Sequence, residues 1–242
     1  MAYLRRVELD DADADRSGYP FTLPVVAGLR AAGGLDLDRA VTFLVGANGA
    51  GKSTLIEAIA VAAGFNPEGG TVNFRFATRA TESALGQHVR LVRGVDKPRT
   101  GFFLRAESYY NVATEIERLA AEGFYGGQSP HERSHGESFL DLAVHRFGAR
   151  GLYLLDEPEA ALSAHGCLAL LSRIRDLARA GSQFVIATHS PILLALPDAG
   201  LVQIDETGKF SLISYDEAEP VVLTRSFLAD PQRYLHHLFA AD

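Results

Sequence analysis

The chain has 242 residues, 47% of them hydrophobic, and a net charge of −7. That length suits one α/β domain, or one with a small subdomain, and the acidic balance argues against a general nucleic-acid coat. The single cysteine, Cys167, excludes an internal disulfide, no zinc-type cluster is present, and no apolar run reaches the roughly 18 residues of a membrane span.

In chain order, Leu4 to Leu9 alternates like a first strand. Asp10 to Asp15, followed by Arg16-Ser-Gly-Tyr-Pro20, is turn chemistry and reads as solvated; its aspartates lack the offsets of a calcium loop. Phe21 to Leu29 reads as a second strand, closing an N-terminal antiparallel unit. Val41 to Val45 is a short buried strand and Thr54 to Ala63 a helix. After the breaker Gly64 to Gly70 come three β-like runs, Thr71–Phe76, His88–Val92 and Gly101–Leu104. Ser108 to Ala121 has helical spacing, and a further helix begins near Glu137 with Phe139, Leu140, Ala143, Val144 and Phe147 on one face. Gly151 to Glu157 is an apolar strand ending in two carboxylates, and Leu168 to Ala178 an amphipathic helix. Gln183 to Ala187 is another buried strand, running into Thr188-His189-Ser190. Leu201–Ile204 and Phe210–Ser214 complete the β content, with helices over Val222–Leu228 and Pro231–Phe239. Apolar strands alternating with helices predict an α/β fold, a mostly parallel sheet covered on both faces. The N-terminus has no signal-peptide stretch, so a cytoplasmic protein is expected. There are no internal repeats.

Gly46-Ala-Asn-Gly-Ala-Gly-Lys52-Ser53 satisfies G-x-x-x-x-G-K-[S/T] between a strand and a helix, the setting that a phosphate-binding loop requires. Its glycines let backbone N–H groups close on an anion, and the helix that starts near Lys52 adds its unpaired N–H groups and positive dipole end. Gly46, Ala47, Asn48, Gly49, Ala50, Gly51, Lys52, Ser53 and Thr54 are the predicted phosphate contacts, with Lys52 on the β- and γ-phosphates and the Ser53 hydroxyl on Mg²⁺. A chance glycine-rich turn does not place eight positions in register between a strand and a helix. The chain is expected to bind ATP or a similar nucleoside triphosphate.

Asp156 and Glu157 stand at the C-terminal end of a buried strand, the edge where α/β sheets hold ligands. Asp156 would hold Mg²⁺ through water, and Glu157 would polarise the attacking water. His189 also ends a buried strand, 32 residues after Glu157 with one helix between them, and so belongs to the same site. Ser134-His-Gly-Glu-Ser138 opens a helix; as local grammar it is a cap, with Ser134 as N-cap and Glu137 three residues on. On local grammar alone the cap is the preferred reading; with the other motifs present, the exposed N–H groups at that helix start offer a second anion site about 80 residues from the phosphate loop.

The order of these motifs resembles the ABC-class ATPases, over roughly Leu4 to Ile204. Asp156-Glu-Pro-Glu-Ala-Ala-Leu-Ser163 is similar to that family's acidic strand end and D-loop, Thr188-His189-Ser190 to its switch histidine, and Arg133-Ser134-His135-Gly136-Glu137 to its signature. His135 stands in place of a signature glycine and Arg133 in place of leucine. Glu107 occupies the place of the family's metal-contacting glutamine. The Asp-Glu-Pro-Glu and Thr-His-Ser forms look like the non-transporter branch, which includes chromosome-maintenance and recombination-repair heads.

The resemblance implies one ABC-type domain over 1–242, with a helical signature subregion near 106–148 and an N-terminal antiparallel β unit. It implies ATP and Mg²⁺ as cofactors, Ser53, Asp156 and Glu107 as metal contacts, and Glu157 and His189 as the hydrolytic pair. It also implies an ATP-dependent homodimer in which Ser134, Gly136 and Glu137 cap the partner's nucleotide, acting on an effector protein not named by the sequence. Tyr19 and Phe21 are the nearest aromatics for stacking adenine. Two alternatives stay open: a transporter's nucleotide-binding subunit, and a DNA-repair head. DNA would use Phe74 to Ala106, which has seven basic and two acidic residues. The interval of about 80 residues between phosphate loop and signature leaves no room for a long coiled-coil arm.

Overall fold

The computed structural model describes residues 2–12, 14–67, 69–71, 84–105 and 135–240, with the side chains of 135–138 excepted. Its main sheet has six strands in the order β5-β6-β7-β3-β8-β9. These are β3 (Val41–Gly46), β5 (Thr100–Arg105), β6 (Gly151–Asp156), β7 (Gln183–Ala187), β8 (Gly200–Ile204) and β9 (Phe210–Ile213). The first five are mutually parallel and β9 is antiparallel at one edge. β3, β6 and β7 are buried at every position, as their largely apolar runs require of strands covered on both faces.

Successive side chains of each strand feed opposite layers. Phe43 and Val45 join a core with the helices α3 (His135–Arg146), α4 (Ala164–Arg179) and α5 (Pro191–Leu194). At its centre Tyr153 stacks on Phe147 at 4.4 Å and on Phe184 at 4.9 Å. Leu44 points the other way, into a core with α1 (Pro24–Ala32), α2 (Lys52–Ala63) and the small sheet described next. Helices α6 (Glu219–Ala229) and α7 (Pro231–Phe239) complete the described chain, Val221 of α6 packing into the first core.

The small sheet is antiparallel, with order β2-β1-β4: β2 (Leu35–Asp36), β1 (Leu4–Leu9) and β4 (Val89–Arg93). The antiparallel N-terminal unit therefore exists, but not with the second strand expected from the sequence. Phe21–Leu29 is not a strand; Pro24–Ala32 is helix α1. Pro24 occupies its first turn and Gly33 closes it in the left-handed conformation, the asymmetric Pro-start and Gly-stop of a helix. Val25, Val26 and Leu29 share a buried face with Gly28, a spacing that suits a helix and that β-branched residues disguise. Gly28 is needed because the helix touches the β8–β9 turn backbone to backbone: a Cβ there would lie 1.7 Å from the Gly208 carbonyl oxygen.

Gln183, fully buried at the start of β7, fastens the small sheet to the large one. Its Oε1 accepts the N–H groups of Tyr3 and Leu4, both at 2.8 Å. Its Nε2 donates to the carbonyls of Leu4 at 2.8 Å, Leu37 at 2.6 Å and Arg39 at 3.3 Å.

The aspartate-rich turn is not simply solvated. Asp11 is buried and pairs with Arg30 at 2.5 Å and Arg16 at 3.1 Å. Burial acts to raise its pKa, but the hydrogen bond and charge of Arg30, with Arg16, outweigh that and hold it below the usual 3.8. The basic stretch is partly neutralised too. Arg90 pairs with Glu8 at 2.5 Å across β1 and β4, and Arg105 turns inward. Thr71–Phe76 beyond residue 71, the helix over Ser108–Ala121, Arg75 and Arg79 lie outside the described residues.

Candidate functional site

The C-terminal ends of β3, β7 and β6 lie side by side, because these strands are neighbours and parallel. From β3 the chain enters the loop Gly46–Lys52 and then α2, whose N-terminus opens onto the loop. Gly51 takes φ 94°, and a Cβ on it would strike Val25 Cγ1 at 2.6 Å, so only glycine suits the position. Gly49 also has positive φ, whereas Gly46 is required by a close approach instead: its Cβ would lie 2.4 Å from the Ile204 carbonyl oxygen. Ala47, Asn48 and Gly49 are exposed at the loop's tip. Helix α1 braces the loop from behind, Val25 N–H donating to the Ala50 carbonyl at 3.1 Å.

Lys52 is buried, 4% exposed, and its Nζ donates to the carbonyls of Gly46 at 2.7 Å and Ala47 at 3.1 Å. Burial pushes its pKa below the usual 10.5, while the charges of Glu157, Asp156, Glu159 and Glu219 act in the opposite direction. A desolvated ammonium group folded within a glycine loop is a site poised for polyanions. Ser53 and Thr54, in the first turn of α2, are half-buried, and the Tyr19 hydroxyl stands 3.3 Å from Thr54 Oγ1.

Asp156 closes β6 and is buried; Glu157 follows with φ 48°, its N–H tied to the Ala187 carbonyl at 2.9 Å. That left-handed residue turns the chain out of the sheet, leaving the Glu157 side chain 42% exposed. His189 Nε2 lies 3.9 Å from Glu157 Oε1. The sheet thus brings together Lys52, Asp156, Glu157 and His189, as the motif spacing predicts. Glu107 and Ser134 lie outside the described residues, and Gly136 and Glu137 are placed only as backbone in the first turn of α3. Phe21 is corrected as an adenine-stacking candidate: it is buried and packs edge-on against His88 at 5.2 Å. Tyr19 is 68% exposed beside the α2 start.

The family model described as "AAA domain, putative AbiEii toxin, Type IV TA system" matches residues 41–87 and 111–195, more than half of the chain. The chain belongs to this family. It is also 26% identical over 172 residues to "ABC transporter G family member STR2" of Medicago truncatula, covering 62% of this chain and 24% of that protein. It is 26% identical over 171 residues to "Macrolide export ATP-binding/permease protein MacB" of Pectobacterium atrosepticum, covering 60% of this chain and 25% of that protein. The chain spans about a quarter of the length of these curated relatives. Among solved structures, "An inward-facing conformation of a putative metal-chelate type ABC transporter" matches with a TM-score of 0.50 at 17% identity, over 90% of this chain and 85% of that one. The fold is that of the ABC class of P-loop ATPases. No helix among the described residues is long and apolar enough to cross a membrane.

In this AAA-family member the site contains three groups that motif reading does not assign. Arg105, at the end of β5 and in register with Asp156, lies with Nε 3.4 Å from Asp156 Oδ2 and donates through Nη1 to Glu57 Oε2 of α2 at 2.7 Å. This ion network joins the phosphate-loop helix to the acidic strand end. Arg105 does have a sequence signal, a cation one strand away from Asp156, but only the β5–β6 register reveals it. The third group, Glu159, accepts the His189 N–H at 2.5 Å.

Proposed function

We propose that the chain is a Mg²⁺-dependent ATPase that works as a nucleotide-sandwich homodimer. The observation that carries the reading is the position of Lys52, desolvated within the glycine loop and within the electrostatic reach of Glu157 and Asp156 at the C-terminal end of β6. Such an ammonium group, with the N-terminal N–H groups of α2, matches the charge and the hydrogen-bond acceptors of a triphosphate. The oxygen donors available, a half-buried Ser53 hydroxyl and the buried Asp156 carboxylate, suit a hard divalent cation. When bound there, Mg²⁺ would neutralise charge on the β- and γ-phosphate oxygens. Glu157, more exposed and beyond the Arg105 network, would orient the attacking water and accept its proton. His189 beside it would contact the γ-phosphate. Tyr19 is the candidate for stacking adenine, supported by its exposure next to Thr54.

One phosphate loop covers only one side of a triphosphate. In the proposed dimer the α3 start of each subunit, with Ser134, Gly136 and Glu137, closes the partner's site, and the cycle times an effector protein. A single domain over 1–242 and a cytoplasmic location are parts of this reading. A role as the nucleotide-binding subunit of a transporter is the second reading, favoured by the names of the relatives matched. DNA binding has less support, since Arg90 and Arg105 are committed to Glu8, Glu57 and Asp156.

The test pairs two variants. Lys52→Ala should abolish ATP binding measured by calorimetry. Glu157→Gln should retain binding, lose at least about 100-fold in kcat, and form dimers with Mg-ATP but not Mg-ADP. Parental turnover in Glu157→Gln would remove Glu157 from the mechanism, and a monomer in Mg-ATP would remove the sandwich.

A further inference from the structure

Glu159 lies in the 3₁₀ turn Pro158–Ala161 that follows Glu157, and its Oε1 accepts the backbone N–H of His189 at 2.5 Å. The neighbours of His189 are held by other means. Thr188 N–H donates to the Leu44 carbonyl at 3.3 Å, and Ser190 N–H to Thr188 Oγ1 at 3.0 Å. The Ser190 hydroxyl is used in turn as the cap of α5. Among the described residues, the His189 peptide is thus fixed by a carboxylate from the strand end that also carries Glu157. The second Glu159 oxygen is buried with no hydrogen-bond partner among the described residues. Glu159 itself is half-buried, but leaving one buried oxygen unpaired costs stability, and a neutral acceptor would bind one amide at lower cost. A charge-assisted bond holds that amide more firmly. What it holds is a ring whose Nε2 is also buried without a hydrogen bond, 3.9 Å from Glu157 Oε1.

We propose that Glu159 is the positioning residue of His189: it ties the turn after β6 to the segment after β7, so that Glu157 and His189 keep one geometry and move together. This rests on the ATPase reading above. Glu159 does not touch the reacting atoms, and its action passes through the His189 backbone.

The test is a double-mutant cycle with a spectroscopic arm. Glu159→Ala should lower kcat roughly 10- to 100-fold, the scale expected of a slight misplacement of a reacting group, with ATP affinity changed by less than about threefold. Glu159→Gln keeps a carbonyl acceptor and should restore most of the loss. In a His189→Ala background, Glu159→Ala should change kcat by less than about twofold. The His189 ring resonances, assigned by their disappearance in His189→Ala, should shift in nucleotide-free Glu159→Ala and return towards the parental position in Glu159→Gln. Additive losses in the cycle, a loss confined to ATP affinity, or unmoved ring resonances would each overturn the proposal. The resonance arm needs no turnover. A parental protein without ATPase would therefore overturn the ATPase reading, while the ring shifts still decide the Glu159–His189 coupling.

Discussion

Strand β7 begins at Gln183 and runs to Ala187 just before His189, and its two ends treat buried polar groups in opposite ways. At the start, the Gln183 amide uses its whole valency on the backbone of the small sheet and the segment leading to β3. Beyond the end, the Nε2 of His189 and one oxygen of Glu159 are buried without hydrogen-bond partners among the described residues, and Lys52 nearby is desolvated with its Nζ on its own loop's carbonyls. A closed polar network fixes a fold, because each member would be costly to leave unpaired. An open one stores capacity for a ligand at the expense of stability. One strand therefore joins a structural fastening to the edge that carries the candidate site.

That contrast can be broken most forcefully at Gln183. Gln183→Leu would strand the N–H groups of Tyr3 and Leu4 and the carbonyl of Leu37, and should cost at least about 3 kcal/mol, roughly 6–12 °C in Tm. Thermal melts read the loss, and ATP affinity of the remaining folded protein should be near parental. A change of affinity larger than that of Tm would mean that the two ends of β7 are not separable. Gly28→Ala sharpens the contrast by acting on both regions. Its methyl group must push α1 off the β8–β9 turn, costing about 1–3 kcal/mol. Because Val25 N–H braces Ala50, nucleotide affinity should also fall, which calorimetry would detect. Asp11→Asn has the smallest expected effect and depends on pH. The depressed pKa of Asp11 means that its contribution is complete above the usual 3.8 and is lost as pH falls through the lower folded value. The variant should melt roughly 2–4 °C below the parent at pH 6, about 1 kcal/mol, and the gap should close below pH 3.8. A gap that persists in acid would assign the effect to packing.

Several features were legible in the chain itself because their signals are local. A phosphate loop needs glycines and Lys52-Ser53 at fixed offsets between a strand and a helix, and all of these lie within a dozen residues. The buried strands β3, β6 and β7 are apolar at nearly every position, and the carboxylates and His189 mark where they stop. Other features were decided by tertiary structure. Phe21 to Leu29 is rich enough in β-branched residues to read as a strand, yet Pro24, Gly33 and the backbone contact of Gly28 with Gly208 make it helix α1. Gln183 looks like an ordinary polar strand opener until Tyr3 and Leu4, some 180 positions away, fold against it. Asp11 reads as solvated until Arg30 of α1 reaches it, and Arg105 reads as one of the basic residues offered to DNA until β5 pairs in register with β6. Glu159 sits within the acidic motif, but its role depends on the approach of the segment after β7. Spacing encodes contacts within a turn or two of chain; pairings between distant segments leave no periodic trace, and only the packed layers bring them together.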